Sequence, residues 1–238
     1  MTERARAALA VLLLLAGGVV VPAGLALAQD VIVRGPSEHR TIALTFDDGT
    51  DPGRCLRIGR ILDEAGIPAT WFPNGFRVRT APNVWRSLAR RFPMANHTLN
   101  HPSLVGRSRA RIRAEVLRNE RLIERITGRR MLHLLRPPFG AYDRRVVREA
   151  GRLGYRVVLW SLSSADTAPH SSDRAIAVRA LSGGPGTILL MHCGPEVTPR
   201  ILPIVIARYA CAGYRFATLD GLLAGRRGVA AKVSCPAG

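Results

Sequence analysis

Two adjacent carboxylates, Asp47 and Asp48, end an apolar run, Thr41-Ile42-Ala43-Leu44, and stand just before Gly49 in the stretch Thr45-Phe46-Asp47-Asp48-Gly49. The run reads as a buried strand and the glycine as the tight turn that follows it. Two neighbouring carboxylates at a strand tip repel each other, and a shared cation is the simplest way to keep both ionised. Taken alone, the stretch would pass for an Asp-Gly hairpin turn. Three further polar groups argue otherwise: His97-x-x-x-His101, Arg136-Pro137-Pro138-Phe139-Gly140 and His192 each follow an apolar run too.

The alternation of those runs sets the fold class. Helical spacing appears at Leu56, Ile61, Leu62 and Ala65, at Val84, Trp85 and Leu88, and from Ile112 to Ile126 after Ser108, with Gly128 as the stop. Asp143 caps a helix carrying Val146, Val147 and Ala150, another helix spans Ile176 to Leu181, and Pro203 fits the first turn of a helix running to Ala212. Strands fall at Ala69–Phe72, Met131–Leu135, Arg156–Trp160, Thr187–Met191 and Tyr214–Thr218. Strands alternating with helices imply an α/β fold with a parallel sheet, and seven or so units can close into a barrel. In such a barrel, chemistry sits on loops at the carboxyl ends of strands, where every polar group above falls.

The ends of the chain read differently. Arg4 and Arg6 precede an apolar core from Ala7 to Val21, and Ala26-Leu27-Ala28 is a small-x-small site, so residues 1–28 read as a secretory signal peptide cleaved near Ala28. An uncleaved membrane anchor is the alternative. Residues 29–40 read as a linker, 41–224 as one catalytic domain and 225–238 as a loosely held tail apart from Cys235. Export suits the four cysteines, for which Cys55–Cys193 with Cys211–Cys235 is preferred among three connectivities; Cys193 as a metal ligand is the lesser alternative.

The formal charge of +18 falls to +17 when Glu3, Arg4 and Arg6 leave with the leader, enough to draw the protein to anionic cell-wall polymer. Nucleic acid is a poor fit. Lys232 is the only lysine, arginines are scattered throughout, and no basic stretch is interleaved with aromatics.

His97 and His101, four apart, would face one side of a helical turn, and with Asp48 they make a two-histidine, one-carboxylate set with open positions for one divalent metal ion. Zinc is preferred; cobalt, nickel, manganese and iron fit the same ligands. Such an ion polarises a carbonyl and lowers the pKa of a bound water. Asp47 is then free to act as general base and His192 as general acid.

With these residues assembled, the sequence resembles the polysaccharide deacetylase family, the NodB homology domain of carbohydrate esterase family 4. Thr45-Phe46-Asp47-Asp48-Gly49 matches the first family motif, Asn96-His97-Thr98-Leu99-Asn100-His101-Pro102 the second, and Arg136-Pro137-Pro138-Phe139-Gly140 the third. Leu189-Leu190-Met191-His192 matches most of the fifth. The resemblance, from about Thr41 to Leu223, implies a distorted (β/α)7-type barrel in which Asp47 is the base, Asp48, His97 and His101 hold the metal, and His192 is the acid. It further implies that the Phe139 N–H binds the oxyanion, that Arg136 orients Asp47 with Asp166 tethering the arginine and influencing His192, and that Leu190 lines the acetyl-methyl pocket. Two departures stand out: Ser163, Asp166 and Thr167 occupy the fourth motif, where two Asp and a Trp are usual, and Cys193 replaces the usual Asp after His192.

The expected activity is metal-dependent removal of N-acetyl groups from an envelope or extracellular polysaccharide, peptidoglycan first and chitin-like N-acetylglucosamine oligomers second, by a monomer. An O-acetyl esterase acting on xylan-type polymer, a secreted carbohydrate-binding protein of the same fold with little turnover, and an exported polyanion binder are the rival readings.

Overall fold

A computed structural model describes residues 31–236. The leader expected over residues 1–28 lies outside the described residues. No helix among those described is long and apolar enough to cross a membrane.

Strands β1 (Thr41–Asp48), β2 (Thr70–Pro73), β3 (Ala95–Asn96), β4 (Leu132–Leu135), β5 (Arg156–Val157), β6 (Leu162–Ser163), β7 (Ile188–His192) and β8 (Arg215–Phe216) all pair in parallel. Helices α1 (Pro52–Glu64), α2 (Gly75–Thr80), α3 (Pro82–Ala89), α4 (Arg109–Thr127), α5 (Arg144–Arg152), α6 (Asp173–Ala180), α7 (Val197–Cys211) and α8 (Leu219–Leu223) fall between and after them. The α/β class stands, but the barrel is not a continuous hydrogen-bonded cylinder. One sheet runs β2-β1-β7-β6 with β8 beside β1, and a second runs β3-β4-β5. A single Trp71–Met94 bridge joins them at one seam. At the other seam the chain itself passes from β5 to β6: the Val158 N–H donates to the Leu135 carbonyl of β4, and three residues later the Ser161 N–H donates to the Ile188 carbonyl of β7. Between those pairings the Leu159 carbonyl accepts a hydrogen bond from Arg136, so the buried guanidinium occupies the place where a regular ladder would continue.

Period-two alternation divides each strand between two environments. Ile42, Leu44 and Phe46 of β1, with Leu189 and Met191 of β7, pack outward against α1, α3 and α7. Ala43 and Ile188 face inward with Phe72, Leu134 and Val158, closed off below by Leu219 and Leu222. The inward positions one and two steps further along β1 are Thr45 and Asp47, in register with Leu190 and His192 of β7. The interior is therefore apolar at its base and polar at the carboxyl ends of the strands.

Local signals account for many boundaries. Asp51, Ser108, Asp143 and Ser172 accept hydrogen bonds from the first turns of α1, α4, α5 and α6, and Gly128 ends α4 in the left-handed conformation. Pro203 is not in a first turn: α7 begins at Val197 and Pro203 sits inside it. The helix is a well-buried element with Ile201, Leu202, Val205 and Ile206 in the core, and packing holds it despite the missing N–H. The expected strand at Tyr214–Thr218 shortens to β8, because Thr218 caps α8.

Both ends of the described chain are tied in. In the expected linker, Ile32 pairs with Val158 and the Gly35 N–H donates to the Gly186 carbonyl. In the expected loose tail, Val229 pairs with Phe216 and the Lys232 N–H donates to the Ala65 carbonyl. Disulfides join Cys55 to Cys193 and Cys211 to Cys235, as preferred from the sequence, and leave Cys193 unable to ligate a metal.

Candidate metal and catalytic centre

The strand tip of β1 turns sharply to present its two carboxylates in different directions. Asp47 keeps the inward direction of the pleat, whereas Asp48 takes φ 72° and Gly49 φ 92°. A Cβ on Gly49 would collide with the Trp85 ring, so this turn admits only glycine.

Asp48 Oδ1 lies 3.4 Å from His97 Nε2 and 3.2 Å from His101 Nε2, and the two Nε2 atoms are 3.1 Å apart. The His97 Nδ1–H donates to the Arg136 carbonyl at 2.7 Å, which leaves the Nε2 lone pair facing Asp48. Asp48 Oδ1 is buried and receives no hydrogen bond. With the His101 Nε2 also unprotonated, a carboxylate oxygen and two imidazole lone pairs converge on one point, an arrangement that positive charge between them stabilises. An ion about 2.0–2.2 Å from each would hold the three atoms ~2.8–3.6 Å apart, the spacing found. The set therefore fits a divalent cation. Burial acts to raise the Asp48 pKa, but the neighbouring His97, His101 and His192 outweigh it and take it down to about 2, so the carboxylate is ionised. Burial, followed by His97, pulls the His101 pKa down, favouring the neutral ligand form.

The two histidines do not share a helical turn. Residues 97–101 form an irregular loop in which Thr98 (φ 68°) and His101 (φ 58°) are left-handed. Buried side chains hold that loop. The Thr98 N–H donates to Asn96 Oδ1, to which Asn119 Nδ2 also donates. The Asn100 N–H and Nδ2 donate to the two oxygens of Glu115, itself 2% exposed, while the Leu99 N–H donates to the Glu115 carbonyl. Glu115 and Asn119 escaped the sequence reading. The available signal was their placement among Ile112, Val116 and Ile123 on the buried face of α4, where a polar residue needs a partner.

Asp47 is 3% exposed, and its Oδ1 accepts from Arg136 Nη1 at 2.6 Å. Arg136 is fully buried, also donates to Thr45 Oγ1 and the Leu159 carbonyl, and stacks on Phe72. Asp47 Oδ2 is left facing the metal-ligand set, 3.8 Å from His97 Nε2.

Asp166 does not tether Arg136. Its Oδ1 accepts from His192 Nδ1 at 2.8 Å, and its Oδ2 accepts from the His192 N–H and from Thr198 Oγ1. Left-handed Ala165 turns the carboxylate toward β7, with the Ser163 and Ser164 hydroxyls accepting the N–H groups of Ala165 and Asp166. Burial acts to lower the His192 pKa; the Asp166 hydrogen bond and charge, with Asp47 and Asp48 behind, outweigh it and raise the value to about 9. The Asp166 carboxylate thus favours the imidazolium form of His192.

Phe139 is left-handed (φ 62°), its ring edge-on to His101 and 70% exposed. Its N–H donates to no group among the described residues, while Gly140 and Ala141 donate back into the turn. Leu190 is buried on the same face of β7 as His192, apart from the apolar clusters.

Comparisons with known proteins agree with this geometry. The family model Polysaccharide deacetylase matches residues 34–158, which include Asp47, Asp48, His97, His101 and Arg136. A chitooligosaccharide deacetylase of Rhizobium leguminosarum bv. trifolii is 32% identical over 190 residues, 79% of this chain and 85% of its own. Peptidoglycan-N-acetylmuramic acid deacetylase PdaA of Bacillus subtilis is 27% identical over 198 residues, 82% of this chain and 75% of its own. Its solved structure, described as a family 4 carbohydrate esterase, superposes with a TM-score of 0.76 at 26% identity, covering 83% of this chain and 86% of that one. A mutant of BA3943, a Bacillus anthracis pseudoenzyme of the same family with restored enzymatic activity, gives a TM-score of 0.79 at 26% identity over 84% and 74% of the two chains. The chain belongs to the polysaccharide deacetylase family, carbohydrate esterase family 4.

Proposed function

We propose that the protein hydrolyses the acetamido groups of an N-acetylated polysaccharide outside the cytoplasm, releasing acetate, with peptidoglycan as first substrate and chitin-like oligomers as second. The observation that carries this reading is the meeting of Asp48, His97 and His101 within hydrogen-bond distance of one another, with Asp47 beside them and an acid-charged His192 in register with Asp47. That the Bacillus relative is a peptidoglycan-N-acetylmuramic acid deacetylase and the Rhizobium relative a chitooligosaccharide deacetylase supports an N-acetyl substrate. The two disulfides and the basic, then apolar, residues 1–28 support export.

A divalent ion held by Asp48, His97 and His101, zinc in preference to cobalt, nickel, manganese or iron, would supply the Lewis acid that polarises the acetyl carbonyl and acidifies a water. Asp47 Oδ2 takes that water's proton, since Oδ1 is occupied by Arg136. The Phe139 N–H donates to the carbonyl oxygen as it gains negative charge. Leu190 offers the acetyl methyl an apolar wall. His192, oriented through Nδ1 by Asp166, gives its Nε2 proton to the amine as the C–N bond breaks.

Asp47→Asn tests the assignment. Acetate release from N-acetylglucosamine oligomers falls about 10²–10⁴-fold, while elemental analysis still finds one metal per chain. An undiminished rate removes Asp47 from the role of base, and a wild-type rate untouched by chelator removes the metal.

A further inference from the structure

A second polar feature opens beside the metal centre and plays no part in the chemistry above. The loop leaving His101 and the loop leaving Phe139 are joined where the Gly106 N–H donates to Asp143 Oδ2 at 3.0 Å. Just beyond that joint lies a cleft of roughly 510 Å³, within the ~300–1,000 Å³ range of small-ligand sites. Arg109, Arg144, Arg145, Arg148 and Arg152 line it, against the single carboxylate of Asp143. That carboxylate is committed to the N–H groups of Gly106 and Val146.

The arginines are poorly compensated. Arg152 pairs with Glu149, and Arg145 donates to the Arg107 carbonyl. Arg109, Arg144 and Arg148 make no ion pair among the described residues. A larger arginine-lined cleft, between Phe92 and Gly128, differs in this respect: there Arg91 pairs with Asp63 and Arg130 with Glu124.

The cluster also contradicts helix physics. Arg109 opens α4, and Arg144 and Arg145 open α5, at the positive ends of both helix dipoles, where neither first turn holds an acidic residue and the Asp143 N-cap of α5 is the one carboxylate set against them. Arg144, Arg148 and Arg152 repeat at four-residue spacing, where like charges repel. Local rules broken together at one place point to something outside the chain that relieves the repulsion. Along the two loops, exposed Val105 follows His101 and precedes Gly106, and exposed Tyr142 follows Phe139 and precedes Asp143, so each loop carries an apolar side chain between the His101–Phe139 pair and the residues that line the cleft.

We propose that this cleft is a binding site for an anionic substituent, carboxylate or phosphate, on the polysaccharide chain whose acetyl group enters the metal centre. The inference rests on the polysaccharide reading above. It makes the enzyme a reader of acidic glycan, with the arginines acting on binding and the metal centre on hydrolysis.

The test measures binding by titration calorimetry, separately from acetate release. The probes are peptide-free peptidoglycan glycan strands with free muramic carboxylates, the same strands with those carboxylates amidated, and a glycerol phosphate oligomer as competitor. The cleft variant is Arg109→Gln/Arg144→Gln/Arg148→Gln, and Arg57→Gln/Arg60→Gln/Arg208→Gln, on α1 and α7, is a control of equal charge change. The wild type and control bind the acidic strands about tenfold more tightly than the amidated ones, and the cleft variant loses that preference. Competition by glycerol phosphate assigns the site to phosphate as well as carboxylate; its absence assigns it to carboxylate alone. Equal weakening in both variants, no preference in the wild type, or no binding of either strand overturns the inference. If the deacetylase reading alone is wrong, no strand yields acetate while the charge-dependent difference in affinity persists.

Discussion

The two walls of the site are built differently. On one, β1 and β7 share five consecutive register pairs, ending with Asp47 opposite His192, so the backbone ladder itself aims the proposed base and acid. On the other, β3 has two residues and its pairing with β4 shifts register, so the ladder stops before it reaches His97. There the aim comes from buried side chains: Asn96, Asn119 and Glu115 brace the histidine loop, and the Arg136 carbonyl sets the His97 tautomer. A long ladder positions a strand-end residue with little outside help. A short one transfers that task to polar groups whose loss is felt directly at the ligands.

Arg136 links the walls, since its carbonyl holds His97 while its guanidinium holds Asp47. Arg136→Leu, which leaves Asp47 and Thr45 buried without their donor, should have the largest effect: about 3–5 kcal/mol of stability in denaturant titration, with loss of measurable acetate release. A near-normal midpoint would mean that the buried ion pair is dispensable. Asn119→Ala comes next and should separate the walls. It costs ~1–3 kcal/mol and weakens metal affinity about 10–100-fold, while the pH dependence attributed to His192 stays in place. Unchanged metal affinity would show that the histidine loop needs no bracing from α4. The smallest effect belongs to Asp166→Asn, which acts on the ladder wall alone. His192 is the active acid below its raised pKa of about 9 and loses its proton above it, giving the alkaline limb of the rate profile. Removing the Asp166 charge leaves burial to dominate, so that limb moves to lower pH with metal content unaltered. A limb that stays put would separate His192 from proton delivery.

The contrast between the walls also marks what could be read from the chain. Ser108 and Gly128 mark both ends of α4, and Asp143 the start of α5, in the sequence itself, because a cap hydrogen bond and a left-handed glycine are features of a few neighbouring residues. The apolar runs located β1 and β7, and with them the positions of Asp47 and His192. The short helix α2 was missed: at six residues it carries too little periodicity, although Asn74 caps it. The His97–His101 spacing suggested a helical turn where a left-handed loop stands, because ligand convergence was visible but the bracing by residues fourteen or more positions away was not. Asp166 is expected from the sequence to act on both Arg136 and His192, and only the His192 contact is found, since both residues lie at strand ends and the turn at Ala165 decides between them.

The amino-acid order alone therefore settled which side chains carry charge, lone pairs and protons, and that they stand at the carboxyl ends of successive strands, because hydrophobic periodicity and caps are short-range. The folded chain decided how they face one another: that Asp48 Oδ1 and two Nε2 atoms converge, that Asp166 holds His192, and that Arg109 meets Arg144 and Arg148 in one cleft. Those arrangements join residues tens of positions apart, and the free energy of bringing them together belongs to the packing of the whole domain, not to any one segment.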